Sequence, residues 1–190
     1  MLLGLITSSC QAIHPVRAID GTPRVSNVKN DREAIVSARV TRVVSGQSIE
    51  VQLHGSNQTL NQTIRLIGVQ SPAYGQEPWG ADAQNYLEDL LLGQTIQLSF
   101  SDRGHRNNGK EVDSSDPYER QWAYVWLDGQ LVNLTLIAEG VVLEDGQSPY
   151  IDYAQQFAHA QHRARVLGLG IWNPNQPLRQ TPYEFWQQKK

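Results

Sequence analysis

The chain has 190 residues, enough for one domain with tails, and its single cysteine, Cys10, excludes an intrachain disulfide. The net charge is −3, and residues 35–172 hold nine Arg and Lys against fifteen Asp and Glu, with no run of basic residues. That balance excludes an extended basic face of the kind used for phosphate neutralisation along a duplex, and leaves room for a few arginines gathered into one local patch.

The first residues, MLLGLITSS, are apolar and then small, and lead into Cys10. An export signal needs a positive start and an apolar core of roughly 7–15 residues; here the core is at the short limit and the positive start is missing. Thr7-Ser8-Ser9-Cys10 is similar to a lipoprotein cleavage box, with Thr7 where a leucine is usual. Two readings stand. One is an exported bacterial lipoprotein, lipidated at Cys10 and reaching a membrane only through that anchor. The other is a frayed N-terminus on a soluble protein. No other stretch is long enough to span a bilayer. Residues 11–34, with Pro15 and Pro23, read as a linker, so residues 1–34 form a signal-like segment and linker.

Ala34 to Val44 is rich in β-branched residues and reads as a strand, turned by Ser45-Gly46. Ser48 to Leu53 alternates, with Ile49, Val51 and Leu53 on one face, as a half-buried strand does. Thr63 to Val69 is a third strand, completing a meander, and Pro72 ends it. Trp79, Ala83, Tyr86, Leu87, Leu90 and Leu91 recur at helical spacing, which predicts an amphipathic helix over 79–92 stopped at Gly93. Thr95 to Phe100 is a fourth strand. Residues 101–119 form a polar loop, Gln121 to Leu127 a fifth strand, and Asp128-Gly129 a turn. Leu131 to Glu139 reads as a short helix and Val141 to Leu143 as a brief strand. Tyr150 to Leu167 reads as a last helix, its apolar face Ile151, Ala154, Phe157, Ala158, Ala164 and Leu167, capped by Gly168. Residues 173–190 read as a Pro- and Gln-rich tail. Three strands, a helix, two strands and two helices is the order of a five-stranded OB-fold Greek-key barrel with about three helices.

Four stretches then occur in order: Val43-Val44-Ser45-Gly46-Gln47-Ser48-Ile49, Ile64-Arg65-Leu66-Ile67-Gly68-Val69-Gln70-Ser71-Pro72-Ala73, Asp116-Pro117-Tyr118-Glu119-Arg120-Gln121-Trp122-Ala123-Tyr124-Val125, and Gly168-Leu169-Gly170-Ile171-Trp172. Together they resemble the staphylococcal nuclease (thermonuclease) family over about 35–172, and Thr181-Pro182-Tyr183-Glu184-Phe185-Trp186 is similar to tails of bacterial relatives. The resemblance implies an OB-barrel phosphodiesterase that cuts DNA and RNA with Ca²⁺. It also implies a residue map. The family's first turn reads Asp-Gly-Asp-Thr, and its second Asp, a metal ligand, is Gln47 here. The family's third strand ends Arg-Leu-…-Asp-Thr-Pro-Glu. Its Arg is Arg65, its metal-ligating Asp is Gln70, its Thr is Ser71, and its water-activating Glu is Ala73. The second phosphate arginine is Arg120, in Tyr118-Glu119-Arg120. All three carboxylates are replaced and both arginines are kept.

Calcium takes about 6–8 hard oxygen ligands, with carboxylates supplying the charge. A divalent ion about 4 Å from a carboxylate gains on the order of 8 kcal/mol at an effective dielectric of about 20, before desolvation. Two such terms are missing, and alanine cannot orient a water. The catalytic frame is therefore read as degenerate: Arg65, Arg120 and Ala73, with former metal positions Gln47, Gln70 and Ser71 and no cofactor expected. Two routes would rescue an active metal-dependent endonuclease using Ca²⁺. Glu111, Asp113, Asp116 and Glu119 would fold over the site, or Glu77 would swing in; a solvated acidic loop is the plainer reading. Arg65 and Arg120, with Tyr118 stacking beside them, are candidates to bind phosphate, a nucleotide or nucleic acid, because the planar guanidinium fork suits phosphate oxygens. The competing reading pairs Arg65 with Glu50 or Asp116. A protein-interaction module using exposed Trp79, Trp122 or Trp126 is a further hypothesis, and a monomer is expected. His159 and His162 lie i, i+3 on a helix without zinc-site companions, and read as surface residues. The triplets at Asn57, Asn61 and Asn133 match glycosylation sequons, a pattern frequent by chance.

Overall fold

A computed structural model describes residues 35–53, 60–100, 120–146 and 152–188. Strand β1 (Ile35–Ser45) is long enough to serve two partners. Its first half, 35–39, pairs antiparallel with β5 (Thr95–Ser99), and Ala38 to Ser45 pairs antiparallel with β2 (Ser48–Leu53). Register shifts between Val40 and Arg42 and between Val43 and Ser45 bend the strand, which is how a bulge coils a sheet toward closure. β2 continues into antiparallel β3 (Asn61–Leu66), and β5 into antiparallel β6 (Gln121–Leu127), which carries the short β7 (Gln130–Leu131). The closing seam is parallel, Ile64, Arg65 and Leu66 of β3 lying beside Gln121, Trp122 and Ala123 of β6. The result is the closed five-stranded barrel expected from element order, with β7 as an extra strand.

Inward positions fill the barrel with Val40, Ile49, Val51, Ile64, Leu66, Ile96, Leu98, Ala123 and Val125, all buried. Helix α1 (Trp79–Leu91) covers one end with Ala83, Leu87 and Leu91, the stripe read from its spacing. α2 (Val132–Ala138) and α3 (Ala154–Leu167) cover another face, packed on each other. There the edge-to-face pair Tyr124 and Tyr153, with centroids 4.9 Å apart, closes over Phe157.

The expected third strand, Thr63 to Val69, breaks in two. β3 stops at Leu66, and β4 (Val69–Gln70) leaves the barrel to pair with β8 (Leu143–Glu144). Gly68 makes the break: its φ is +72°, and a Cβ there would stand 2.6 Å from the Phe157 ring. The last helix buries less than its composition suggested. Phe157 and Ala164 are buried, whereas Ala154, Ala158 and Leu167 are exposed, because α3 leans on α2 and the turn 170–172 rather than on the barrel wall. Tyr150 and Ile151 lie outside the described residues.

The tail is the largest difference from the expectation. After the 3₁₀ turn Gly170–Trp172, the Leu178 N–H donates to the Ile171 carbonyl at 2.8 Å, and the chain turns back into a fourth helix, α4 (Pro182–Gln187). Among the described residues no helix is long and apolar enough to cross a membrane.

Candidate functional site

In β3 the buried Ile64 and Leu66 point inward, and Arg65 between them is half-buried and turns to the outer side, into an open groove of about 520 Å³. Its guanidinium stands over the Trp122 ring, 5.1 Å from the centroid, across the parallel seam. Arg120, at the entry to β6, lines the same groove and donates from Nη1 to the Ser48 hydroxyl at 3.5 Å. Ser48 is also the register partner of Arg65. One buried serine therefore brings both arginines to one place, although 55 residues separate them (120 − 65). The competing pairing of Arg65 with Glu50 is not what forms: Glu50 makes a two-pronged, hydrogen-bonded ion pair with Arg42, and that guanidinium holds the carboxyl below its usual range. Asp116, the other suggested partner, lies outside the described residues.

The turn between β1 and β2 supplies the opposite side. Gly46 sits so close to the neighbouring loop that a Cβ would fall 2.5 Å from Ser71 Oγ and 2.6 Å from the Ala83 methyl. That approach presents Gln47, whose Oε1 accepts the Ser71 N–H at 2.7 Å. Gln70 lies in β4 on the groove, and Ser71 is buried, its hydroxyl donating to the Pro72 carbonyl at 3.0 Å. Ala73 is 7 % exposed, and its N–H donates to Gln76 Oε1 at 2.7 Å.

With these side chains the three positions do not fit a calcium ion. Gln47 brings a neutral oxygen already used by a backbone N–H, Gln70 brings a second neutral amide, and Ala73 brings a methyl group. No Asp or Glu among the described residues lines the groove, and no cluster of three His, Cys, Asp or Glu stands together elsewhere among them. Glu77 is exposed and does not line the groove. Glu111, Asp113, Glu119 and Tyr118 lie outside the described residues, as do Cys10 and Asn57.

The remaining wall comes from a segment read as a tail. Gln76, itself buried, donates from Nε2 to the Gln180 carbonyl at 2.9 Å and so ties the loop after β4 to the chain before α4. α4 begins with a capping box: Thr181 Oγ1 accepts the Glu184 N–H at 3.2 Å, and the Glu184 carboxylate accepts the Thr181 N–H at 2.7 Å. Pro182, at the first helical position, is buried against the groove, and Tyr183 and Trp186 complete its rim. Tyr74 closes the other side of the mouth, 86 % exposed. Tyr74, Tyr183 and Trp186 were missing from the sequence-based site. The signal for the last two was Thr-x-x-Glu with proline after the threonine.

Other expectations resolve simply. Trp79, Trp122 and Trp126 are half-buried rather than exposed, and Trp126 Nε1 donates to Ser99 Oγ at 3.2 Å. His159 and His162 are exposed, as is Asn61. The Asn133 side chain is fully buried, accepting the Val125 N–H at 3.0 Å and donating to the Ile67 carbonyl at 2.8 Å, so its sequon marks a structural amide.

Comparison with known proteins agrees with this architecture. The family profile described as "Staphylococcal nuclease homologue" matches residues 63–174. The thermonuclease of Staphylococcus hyicus is 29% identical over 140 residues, covering 71% of this chain and 75% of that protein. Endonuclease YncB of Bacillus subtilis is 30% identical over 159 residues, covering 80% and 67%. The thermonuclease of Staphylococcus intermedius is 30% identical over 138 residues, covering 70% and 74%. With the closed barrel, its parallel seam and a profile match over most of the described chain, this protein belongs to the staphylococcal nuclease homologue family.

Proposed function

We propose that this chain is a nuclease-fold binding module: metal-dependent cleavage is lost, and Arg65 and Arg120 hold a phosphate-sized anion carried by a nucleotide or nucleic acid. The observation that carries the reading is the hydrogen bond from the Ser71 N–H to Gln47 Oε1, beside a buried Ala73. The carbonyl that replaces a ligating carboxylate knits the loop together, and nothing at position 73 can take a proton from water. Hydrolysis of a phosphodiester needs charge neutralisation, positioning and an activated water, and two guanidiniums supply part of the first two. The site thus retains the parts that recognise a phosphate and lacks the parts that break its ester.

Titration with inorganic phosphate and with a mononucleotide tests this directly. Binding is expected in the parent and at least tenfold weaker in Arg65→Ala with Arg120→Ala, since hydrogen bonds to charged groups contribute about 1.5–3 kcal/mol each. Equal affinity in parent and double variant overturns the anion site. Digestion of plasmid and RNA with Ca²⁺, Mg²⁺ or Mn²⁺ is expected to give no cleavage. Cleavage that disappears with chelator and in Arg120→Ala establishes the active phosphodiesterase instead, as the names of the endonuclease and thermonuclease relatives would suggest.

A further inference from the structure

Three exposed aromatic side chains stand at the groove mouth. Tyr74 is 86 %, Tyr183 66 % and Trp186 51 % exposed, and all line the cavity that also takes Arg65, Arg120 and Trp122. Scattered exposed aromatics need no explanation, but a set gathered around one cavity with two cations does. Two of the three are held on a short helix locked at its start by a reciprocal cap, and Phe185 packs edge-to-face on Trp186 at 5.9 Å. The rings are thus presented by a fixed element tied through Gln180 to the loop that follows β4.

We propose that Tyr74, Tyr183 and Trp186 form a stacking subsite for unpaired nucleobases, so that the groove takes single-stranded nucleic acid with a phosphate at the arginines. This rests on the anion-site reading and adds its specificity. Aromatic faces accept any base, and combined with guanidiniums they fit a strand whose bases and phosphates alternate along the chain. A duplex keeps its bases stacked on each other, so only a single strand can offer them. An apolar peptide would suit the rings but not the positive charge of the two arginines that line the same groove.

The test is fluorescence anisotropy with labelled oligothymidylate, single-stranded and annealed to its complement, alongside calorimetric titration with inorganic phosphate. The parent is expected to favour the single strand. Tyr183→Ala with Trp186→Ala is expected to lose about tenfold or more in oligonucleotide affinity, a larger loss than it shows for phosphate. Tyr183→Leu with Trp186→Leu keeps apolar bulk without the ring face, and is expected to lose as much. If the leucine variant keeps full affinity, or duplex binds as well as single strand, the stacking subsite is overturned and an apolar docking face takes its place. If instead phosphate binding is indifferent to Arg65→Ala with Arg120→Ala, the anion site itself falls, whatever the aromatics do.

Discussion

Two amides show how differently the two sides of this barrel use the same chemical group. Asn133, on the side covered by α2 and α3, is fully buried and satisfies a backbone N–H on β6 and a backbone carbonyl in the turn between β3 and β4. Gln47, at the groove, is half-buried and satisfies one N–H of the loop after β4. The first amide is wholly withdrawn from solvent, where an unpaired polar group is costly. The second sits where the family resemblance implies a charged oxygen facing a cation. On the closed side an amide completes the fold; on the open side an amide fastens a turn to a loop at the rim of a groove. On the function proposed above, the neutral oxygen of Gln47 takes over only the structural share of a carboxylate.

The sharpest way to break this contrast is Asn133→Leu. Removing the side chain orphans a buried donor and a buried acceptor, and urea denaturation is expected to show a loss of about 2–5 kcal/mol. A loss below ~1 kcal/mol would mean that the closed side is as tolerant as the open one. Next comes restoration of the acids by Gln47→Asp, Gln70→Asp and Ala73→Glu together. Without metal the variant is expected to melt below the parent, because carboxylates crowd one groove. Calcium at a hundredfold excess over its Kd then restores about 2.7 kcal/mol, while the parent melting curve ignores calcium. A parent that is stabilised by calcium overturns the account of the groove. Thr181→Ala removes one half of the cap on α4 and is expected to cost about 1 kcal/mol locally, read as increased solvent quenching of Trp186 with little change in global melting.

The smallest effect follows from acid. Hydrogen bonds from Thr181 hold the Glu184 carboxyl below its usual range. A carboxyl depressed in the folded state contributes stability that is present above its unfolded pKa and is lost as pH falls through the folded value. Tryptophan fluorescence should therefore show α4 loosening only on acidification past the ordinary carboxylate range. A transition near neutral pH would assign the loosening to another group.

Much of the barrel was legible because strands and amphipathic helices repeat apolar residues at periods of 2 and 3.6, and the matches at β2, β6 and α1 follow from that. The break at Gly68 was not legible, since the reason for it is a ring of Phe157 contributed from 89 residues away (157 − 68). Arg65 and Arg120 are singled out by the stretches that carry the family resemblance, and the structure places both on one groove. Their meeting at Ser48 was not legible, because it depends on strand register across the seam. The aromatic wall was hidden by composition: proline and glutamine made residues 173–190 read as a tail, although Thr181 and Glu184 spelled a helix start. Burial of Asn133 was equally invisible, for a sequon looks the same on a surface loop and inside a core.

Gln76 has a practical consequence. One end of its amide accepts the N–H of position 73 and the other donates to the carbonyl of position 180, so the groove floor and the approach to α4 are coupled through one side chain. Gln76→Ala would release both anchors at once, so a change in the groove floor and a shift of the aromatic wall would arrive together rather than as separate events.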